Sequence, residues 1–108
     1  MAYDEVLAER VRDQLVEKSI TEKRMFGGWA VMWRGNLLAG VIGDDLVARV
    51  RPAAMSEALA LRGARPFDFA GRPMKGWLYV AQGALEDDSD LCMWIERCLS
   101  FVGTLPPK

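Results

Sequence analysis

The sequence contains no histidine, and this absence excludes several classes of catalytic and metal-binding site. Histidine is the side chain whose ordinary pKa lies closest to neutral pH, and it is the commonest metal ligand in proteins. Without it, one chain cannot build the Ser-His-Asp or Cys-His arrangements of nucleophilic catalysis. The remaining residues form no obvious acid–base pair, so the sequence indicates a protein that is not an enzyme.

Cysteine is scarce as well. Cys92 and Cys98 are six residues apart on a predicted helix, which separates them by about 9 Å along its axis, too far for a disulfide. The pair also lacks the spacing of zinc ligands, and there is no second pair to complete a site. We therefore expect two reduced thiols, no metal and no cofactor.

Long apolar runs are absent too. The apolar stretches are far too short to span a bilayer, and acidic residues near the N-terminus stand where a signal peptide requires basic ones. We expect a cytoplasmic protein that does not bind membranes. The chain has 108 residues, of which 51% are hydrophobic and 27% charged. These values are typical of one globular unit, so residues 1–108 are predicted to form a single domain.

The strongest fold signal lies in residues 23–51. Trp29, Val31 and Trp33 alternate with Ala30, Met32 and Arg34, as expected in a β-strand, where successive side chains point to opposite faces. Gly35-Asn36 predicts a two-residue hairpin turn, and residues 37–42, apolar on both faces, predict a central strand. The pattern in this part of the chain therefore predicts an antiparallel meander.

The meander continues beyond a second predicted turn at Gly43-Asp44-Asp45. Two adjacent aspartates between strands favour a turn far more strongly than a cation site. In the strand that follows, Leu46, Ala48 and Val50 are predicted to be buried, while Arg49 and Arg51 share the other face.

Helices and two further strands account for the rest of the chain. We predict helices at residues 3–18, 52–62 and 88–102, a brief edge strand at 67–69 and a fifth strand at 75–81. The expected fold class is α+β. It consists of an antiparallel β-sheet meander of about five strands, with the N-terminal, middle and C-terminal helices packed mainly on one face.

The net charge of −1 hides an uneven distribution. Residues 1–22 hold three basic and six acidic side chains, residues 23–75 nine and four, and residues 76–108 two and five. The strand-rich middle is therefore basic and both terminal segments are acidic. An electropositive face is compatible with a chain that is slightly acidic as a whole.

Five cations of the middle segment are candidates for binding a protein partner or nucleic acid. If their faces align, they form a cationic strip on the uncovered side of the sheet that could bind phosphates or an acidic protein surface. A half-solvated antiparallel sheet also needs polar residues on its outer face, and this structural interpretation is the commoner one. The five are Lys23, Arg24, Arg34, Arg49 and Arg51.

Gly27-Gly28 is interpreted as a bend between two strands. A phosphate-binding loop is the alternative, but no Gly-Lys-Ser/Thr sequence follows and no helix begins there.

An ordered set of landmarks runs through the chain. They are Met25, Phe26, Gly27 and Gly28 after an amphipathic helix, then Gly35, Ala39, Asp44-Asp45-Leu46, Gly63, Pro66-Phe67, and Leu91 and Trp94 in a final helix. Together they resemble the N-terminal domain of the TfoX/Sxy competence regulators over nearly the whole chain. The resemblance implies a regulator of DNA-uptake competence that acts with the cyclic-AMP receptor protein at some promoters, and it offers no catalytic residues. It also implies that family members carry a helical C-terminal part for which this chain has no residues, so we expect a stand-alone N-terminal domain.

Three hypotheses of different classes result. The first is a protein-interaction module that acts through its sheet edge or basic face, with a partner in the transcription machinery. The second is direct nucleic-acid binding by the same face, which ranks lower because no helix is basic enough to be a recognition helix. The third is a small-ligand site or an enzyme in which residues 66–73 form a lid beside Gly27-Gly28, and it ranks last.

Overall fold

A computed structural model, which describes residues 3–25, 27–69 and 72–108, contains one six-stranded antiparallel sheet and three helices. The strands lie in the order β1-β2-β3-β4-β6-β5. Their bounds are β1 Ile20–Met25, β2 Gly28–Trp33, β3 Asn36–Ile42, β4 Asp45–Arg49, β5 Ala64–Phe69 and β6 Arg72–Val80. The helices are α1 Glu5–Asp13, α2 Met55–Leu59 and α3 Asp88–Val102, with short 3-10 helices at Pro52–Ala54 and Gln82–Ala84. The predicted α+β class is confirmed, with six strands where about five were expected.

The pairing register assigns each side chain to one of two faces. Val31, Ala39, Ala48 and Leu78 form one row across four strands, because each pairs with the next. All four belong to the apolar core that also contains the buried side chains of α1 and α3. We call this side of the sheet the covered face and the opposite side the uncovered face. Leu46, Ala48 and Val50 are buried in that core, as predicted.

The helices begin and end differently from the prediction in two places. Asp4 caps α1 by accepting from the backbone amides of Val6 and Leu7, and these bonds lower its pKa. The helix ends at Asp13, because tighter three-residue hydrogen bonds, such as Leu15 N to Arg12 O at 3.0 Å, replace the predicted last turn and keep Leu15 in the core. The middle helix is likewise shorter than expected, whereas α3 covers the predicted residues 88–102.

The β2–β3 hairpin turn lies one residue earlier than predicted. Trp33 pairs with Asn36, so the two-residue loop is Arg34-Gly35, with φ of 56° and 80°. Two positive φ values in succession are characteristic of the type I′ turn, one of the two common turns in hairpins of this length. Asn36 instead starts β3, where it is 3% exposed and donates from Nδ2 to the carbonyl of Pro106 at 3.0 Å.

The C-terminal tail is fixed at this same turn. The backbone N–H of Lys108 donates to the carbonyl of Arg34 at 2.9 Å, beside the bond from Asn36 to Pro106. The described N-terminal end lies at the opposite end of the strands, where Tyr3 forms a bridge with Gly43 in the β3–β4 turn.

The predicted lid at residues 66–73 is wrong. Its described residues belong to β5 and β6, which pair with each other at the far edge of the sheet. At the ordinary strand spacing, β5 lies roughly 19 Å from β2, where Gly28 is located. The structure therefore does not place this segment over Gly27-Gly28, which lies at the β1–β2 turn as predicted.

A three-residue cluster ties α1 to the edge of the sheet. Arg12 donates from Nε and Nη2 to the two carboxylate oxygens of Glu22 at 2.8 and 2.7 Å, and Trp29 Nε1 donates to the same carboxylate at 2.9 Å. The guanidinium carbon also lies 5.4 Å from the centre of the indole ring. These two donors, Arg12 first, lower the pKa of Glu22 from its ordinary 4.5.

Gly40 in β3 should be intolerant of a larger side chain. A Cβ there would lie 2.6 Å from the backbone carbonyl oxygen of Trp29, which the sheet holds in place. We expect Gly40→Ala to lower the free energy of unfolding in urea by about 1–3 kcal/mol. The matched control is Gly83→Ala, where a Cβ meets nothing within 4 Å. Equal effects of the two substitutions would contradict the predicted close approach.

The Arg12–Glu22 pair should make stability depend on pH in the acid range. Because the folded state lowers the pKa of Glu22, the stabilisation is present at neutral pH and is lost as the pH falls below 4.5, through the folded-state value. A double-mutant cycle with Arg12→Gln and Glu22→Gln should give a favourable coupling at pH 7 that disappears at strongly acid pH. A coupling of the same size at both pH values would rule out this account.

Candidate interaction surface

One row of side chains crosses the uncovered face from edge to edge. By register it runs Lys23, Ala30, Gly40, Val47, Tyr79 and Arg65. The two ends are exposed cations, and the centre is small and apolar. Ala30 and Val47 are each only 3% exposed, yet they lie outside the core cluster beneath the helices. Their larger neighbours on the same face shield them.

Those neighbours make the uncovered face apolar. Met32 pairs with Leu37, and Ile42 follows Gly40 by two residues, so all three point to the same side as the central row. Each is half-buried. We call the whole set the apolar patch; its members are Ala30, Met32, Leu37, Gly40, Ile42, Val47, Trp77 and Tyr79. The solvent side of an antiparallel sheet is ordinarily polar, so this patch is unusual for a face that the described helices leave bare.

Aromatic rings support one side of the patch. Phe67 is fully buried, with its ring centroid 4.9 Å from that of Tyr79 and 6.1 Å from that of Trp77. Arg65 lies over the Tyr79 ring, with Cζ 4.6 Å from the centroid, and also pairs with Asp45 at 2.5 Å. Arg49 lies in the same way over Trp77, at 5.3 Å. Each half-buried ring thus carries a guanidinium on it.

The five candidate cations do not form one strip. Lys23 and Arg24 are neighbours on the edge strand β1, and their side chains point to opposite faces, since Lys23 pairs with Ala30 and Arg24 with Trp29. Lys23 alone of the two borders the apolar patch. Both side chains are exposed.

The other three candidates gather near the C-terminal end of α3. Arg34 donates from Nη1 to the carbonyl of Gly103 at 3.2 Å, and Arg49 and Arg51 place Cζ 5.6 and 5.5 Å from the ring centroid of Phe101. The last turn of α3 has no basic residue of its own. Cations from the sheet therefore lie where the helix dipole favours positive charge. β4 ends at Arg49, so Arg51 lies just beyond the strand, yet the guanidinium groups of both arginines lie over the same ring, that of Phe101.

Arg49 has a structural role as well as a position beside the patch. Its Nη1 donates to the carbonyl of Leu37 at 3.0 Å, and its guanidinium lies between Trp77 and Phe101. Burial in this position lowers the pKa of Arg49. Sequence analysis missed Arg65, the third cation that borders the patch, because the predicted edge strand began only at residue 67.

Two observations on the described residues concern metal binding and thiol chemistry. Residues 3–25, 27–69 and 72–108 contain no group of three or more acidic or cysteine side chains placed to hold a metal ion. Burial raises the pKa of the Cys98 thiol to about 12, so it is not a nucleophile at neutral pH. None of the helices in the described part of the chain is long and apolar enough to cross a membrane.

The small depression in the patch and the two clefts beside α3 are not enclosed ligand sites. The depression in the apolar patch, lined by Leu37, Gly40 and Trp77 among others, holds about 10 Å³, far less than a small-molecule pocket requires. Two clefts of about 410 and 490 Å³ flank α3, and Glu96 and Ser100 line both. Both clefts open widely to solvent.

The predicted motif at the β1–β2 turn is described in part. Met25 is half-buried at the end of β1, where it pairs with Gly28, and Gly27 lies in the turn. Phe26 lies outside the described residues.

Comparison with models of known protein families matches residues 13–102 to the TfoX N-terminal domain. Neither the curated proteins nor the solved structures include a significant match.

Arg49 and Arg51 provide a test of which cation supports the fold. We expect Arg49→Gln to lower the free energy of unfolding by about 1–3 kcal/mol, because the Leu37 carbonyl loses its donor and Trp77 its stacked guanidinium. Arg51→Gln makes the same charge change on an exposed side chain and should stay within about 0.5 kcal/mol of the wild type. Urea denaturation measures both. Equal losses, or a larger loss for Arg51→Gln, would contradict the assignment.

Proposed function

Because the chain belongs to the TfoX N-terminal domain family, we propose that it is a non-catalytic regulatory domain that binds a protein of the transcription machinery. The regulatory part of this proposal is supported by the resemblance to competence regulators. The binding part is carried by one observation, the apolar patch on the uncovered face of the sheet.

The patch has the properties of a protein-binding surface. Contiguous apolar side chains on a solvent face are costly to leave exposed, and such patches mark sites of interaction. Trp77, Tyr79, Arg49 and Arg65 belong to the residue types that dominate binding energy at protein interfaces. Phe67 beneath the rings and the Leu37 carbonyl beside Arg49 hold these side chains in place, which lowers the entropy lost on binding.

Direct nucleic-acid binding is the second candidate, favoured by the cations Arg49 and Arg65 beside aromatic rings and by Lys23 at the other end of the same row. It has weaker support than protein binding. Bases bind to sheets by stacking on free aromatic faces, whereas Tyr79 and Trp77 already carry guanidinium groups at 4.6 and 5.3 Å. Aliphatic side chains make up most of the remaining patch, and they suit a protein better than a phosphate backbone.

Photo-crosslinking in cells distinguishes these functions. A photo-reactive side chain at position 42, within the patch, should give discrete adducts with protein. The same group at position 9, on the exposed side of α1, serves as the matched control and should not give those adducts. Mass spectrometry should identify the position-42 partner as a component of the transcription machinery.

Three results would contradict the proposal. Adducts at position 42 that disappear on nuclease treatment would identify nucleic acid as the partner. Identical adducts from positions 42 and 9 would show that the patch is not the binding surface. Partners unconnected with transcription would overturn the regulatory part alone.

A further inference from the structure

We propose that the apolar patch binds an acidic amphipathic segment of another protein, with the apolar side chains of that segment against the centre of the patch and its carboxylates at the cationic margins. This inference rests on the proposed function, since it names the chemistry of the partner for the same surface. It depends on two features of the uncovered face, its shape and the sign of its charges.

The patch has a low centre surrounded by larger apolar side chains. Ala30, Gly40 and Val47 lie side by side on three neighbouring strands and form a low floor. Leu37, Ile42 and Trp77 rise around that floor and line the depression with it. The depression, about 10 Å³, is too small for a cofactor or an inserted side chain, so a partner would contact the apolar side chains around it.

The charges at the margin of the patch are predominantly positive. By register, three cations lie at its margin, Lys23, Arg49 and Arg65, together with the carboxylate of Asp45. Asp45 is already paired with Arg65 at 2.5 Å. Lys23 is exposed and has no ion-pair partner in the part of the chain that the structure describes.

The cations are also well spaced. Lys23 and Arg65 stand at opposite ends of a row that crosses six strands, roughly 24 Å at the ordinary strand spacing. Arg49 stands at one end of its strand, beside Trp77. A partner that lies across the sheet therefore meets positive charge on either side of its apolar contact. Carboxylates flanking an apolar residue complement this arrangement, whereas lysines would be repelled.

A second copy of this chain fits the surface less well. Two patches facing each other would bring Lys23, Arg49 and Arg65 of both copies together. The acidic helix α1 of one copy on the patch of the next would be a head-to-tail contact, which generates open chains unless the rotation closes a ring. The charges therefore favour a different protein.

Designed peptides test the inference directly on the intact chain. The probe is a 16-residue amphipathic helix with leucines on one face and glutamates on the other. One control peptide keeps the leucines and replaces each glutamate with lysine, and a second keeps the glutamates and replaces each leucine with serine. Binding is measured by fluorescence anisotropy at low and moderate salt, and the site is located by backbone amide shifts in NMR spectra. Oligomeric state is followed by light scattering.

The glutamate–leucine peptide should bind, weaken with salt and shift amides of β2, β3 and β4. Lys23→Glu should weaken its binding by about three- to tenfold, the order expected for reversing one charge at an interface margin. Arg24→Glu is the matched control, because it makes the same charge change one residue away on the same strand and on the opposite face. It should leave the affinity unchanged.

The acidic-partner proposal and the protein-binding proposal would fail with different experimental results. Equal or tighter binding of the lysine–leucine peptide would overturn the acidic partner and leave a protein-binding patch in place. The acidic chemistry is also refuted if the serine peptide binds equally well, if shifts appear only around α3, or if the glutamate–leucine peptide does not bind. Displacement of the peptide by a single-stranded oligonucleotide would assign the surface to nucleic acid. Self-association that shifts patch amides would assign it to a second copy.

Discussion

The structure depends on one constraint: in the described part of the chain, the helices pack on only one face of the six-stranded sheet. Helices α1 and α3 bury their apolar side chains against the covered face, in a core that includes Val31, Ala48 and Leu78. The side chains of the uncovered face must therefore pack against one another. Small residues lie in the centre of this face, with larger apolar side chains around them and arginines laid over the two half-buried rings. The surface that we propose for binding is thus a direct result of how the helices are distributed.

Much of the fold could be predicted from sequence, because the relevant signals are local. Alternation in residues 46–50 identified the covered face of β4 correctly, and the acidic start and apolar stripe of the last helix located α3. The errors lie where the backbone conformation, and not the pattern of side chains, determines the position of a turn. The β2–β3 turn begins at Arg34, a residue type that rarely adopts positive φ, so the pattern favoured Gly35-Asn36 instead.

The candidate site was harder to predict, because it depends on contacts between distant residues. Alternation can assign Arg49 to a strand face, but it cannot show that Phe101, on α3, lies 5.6 Å from its guanidinium. Lys23 and Arg24 look equivalent in sequence, and only the pairing with Ala30 and Trp29 separates them. Arg65 was missed because its strand is the outermost one and contains Pro66, which weakens the strand signal. Whether the five predicted cations take part in binding stays a prediction.

The attachment of the C-terminal tail has a mechanical consequence. Lys108 is hydrogen-bonded at the β2–β3 turn, and Tyr3 forms its bridge at the β3–β4 turn, so the two described ends of the chain lie at opposite ends of β3. Tension between those ends acts first on the hydrogen bonds that hold Asn36 and Arg34 to the tail. It then acts on α1 and α3, the elements that adjoin the two ends in the chain, before it reaches the hydrogen bonds between strands.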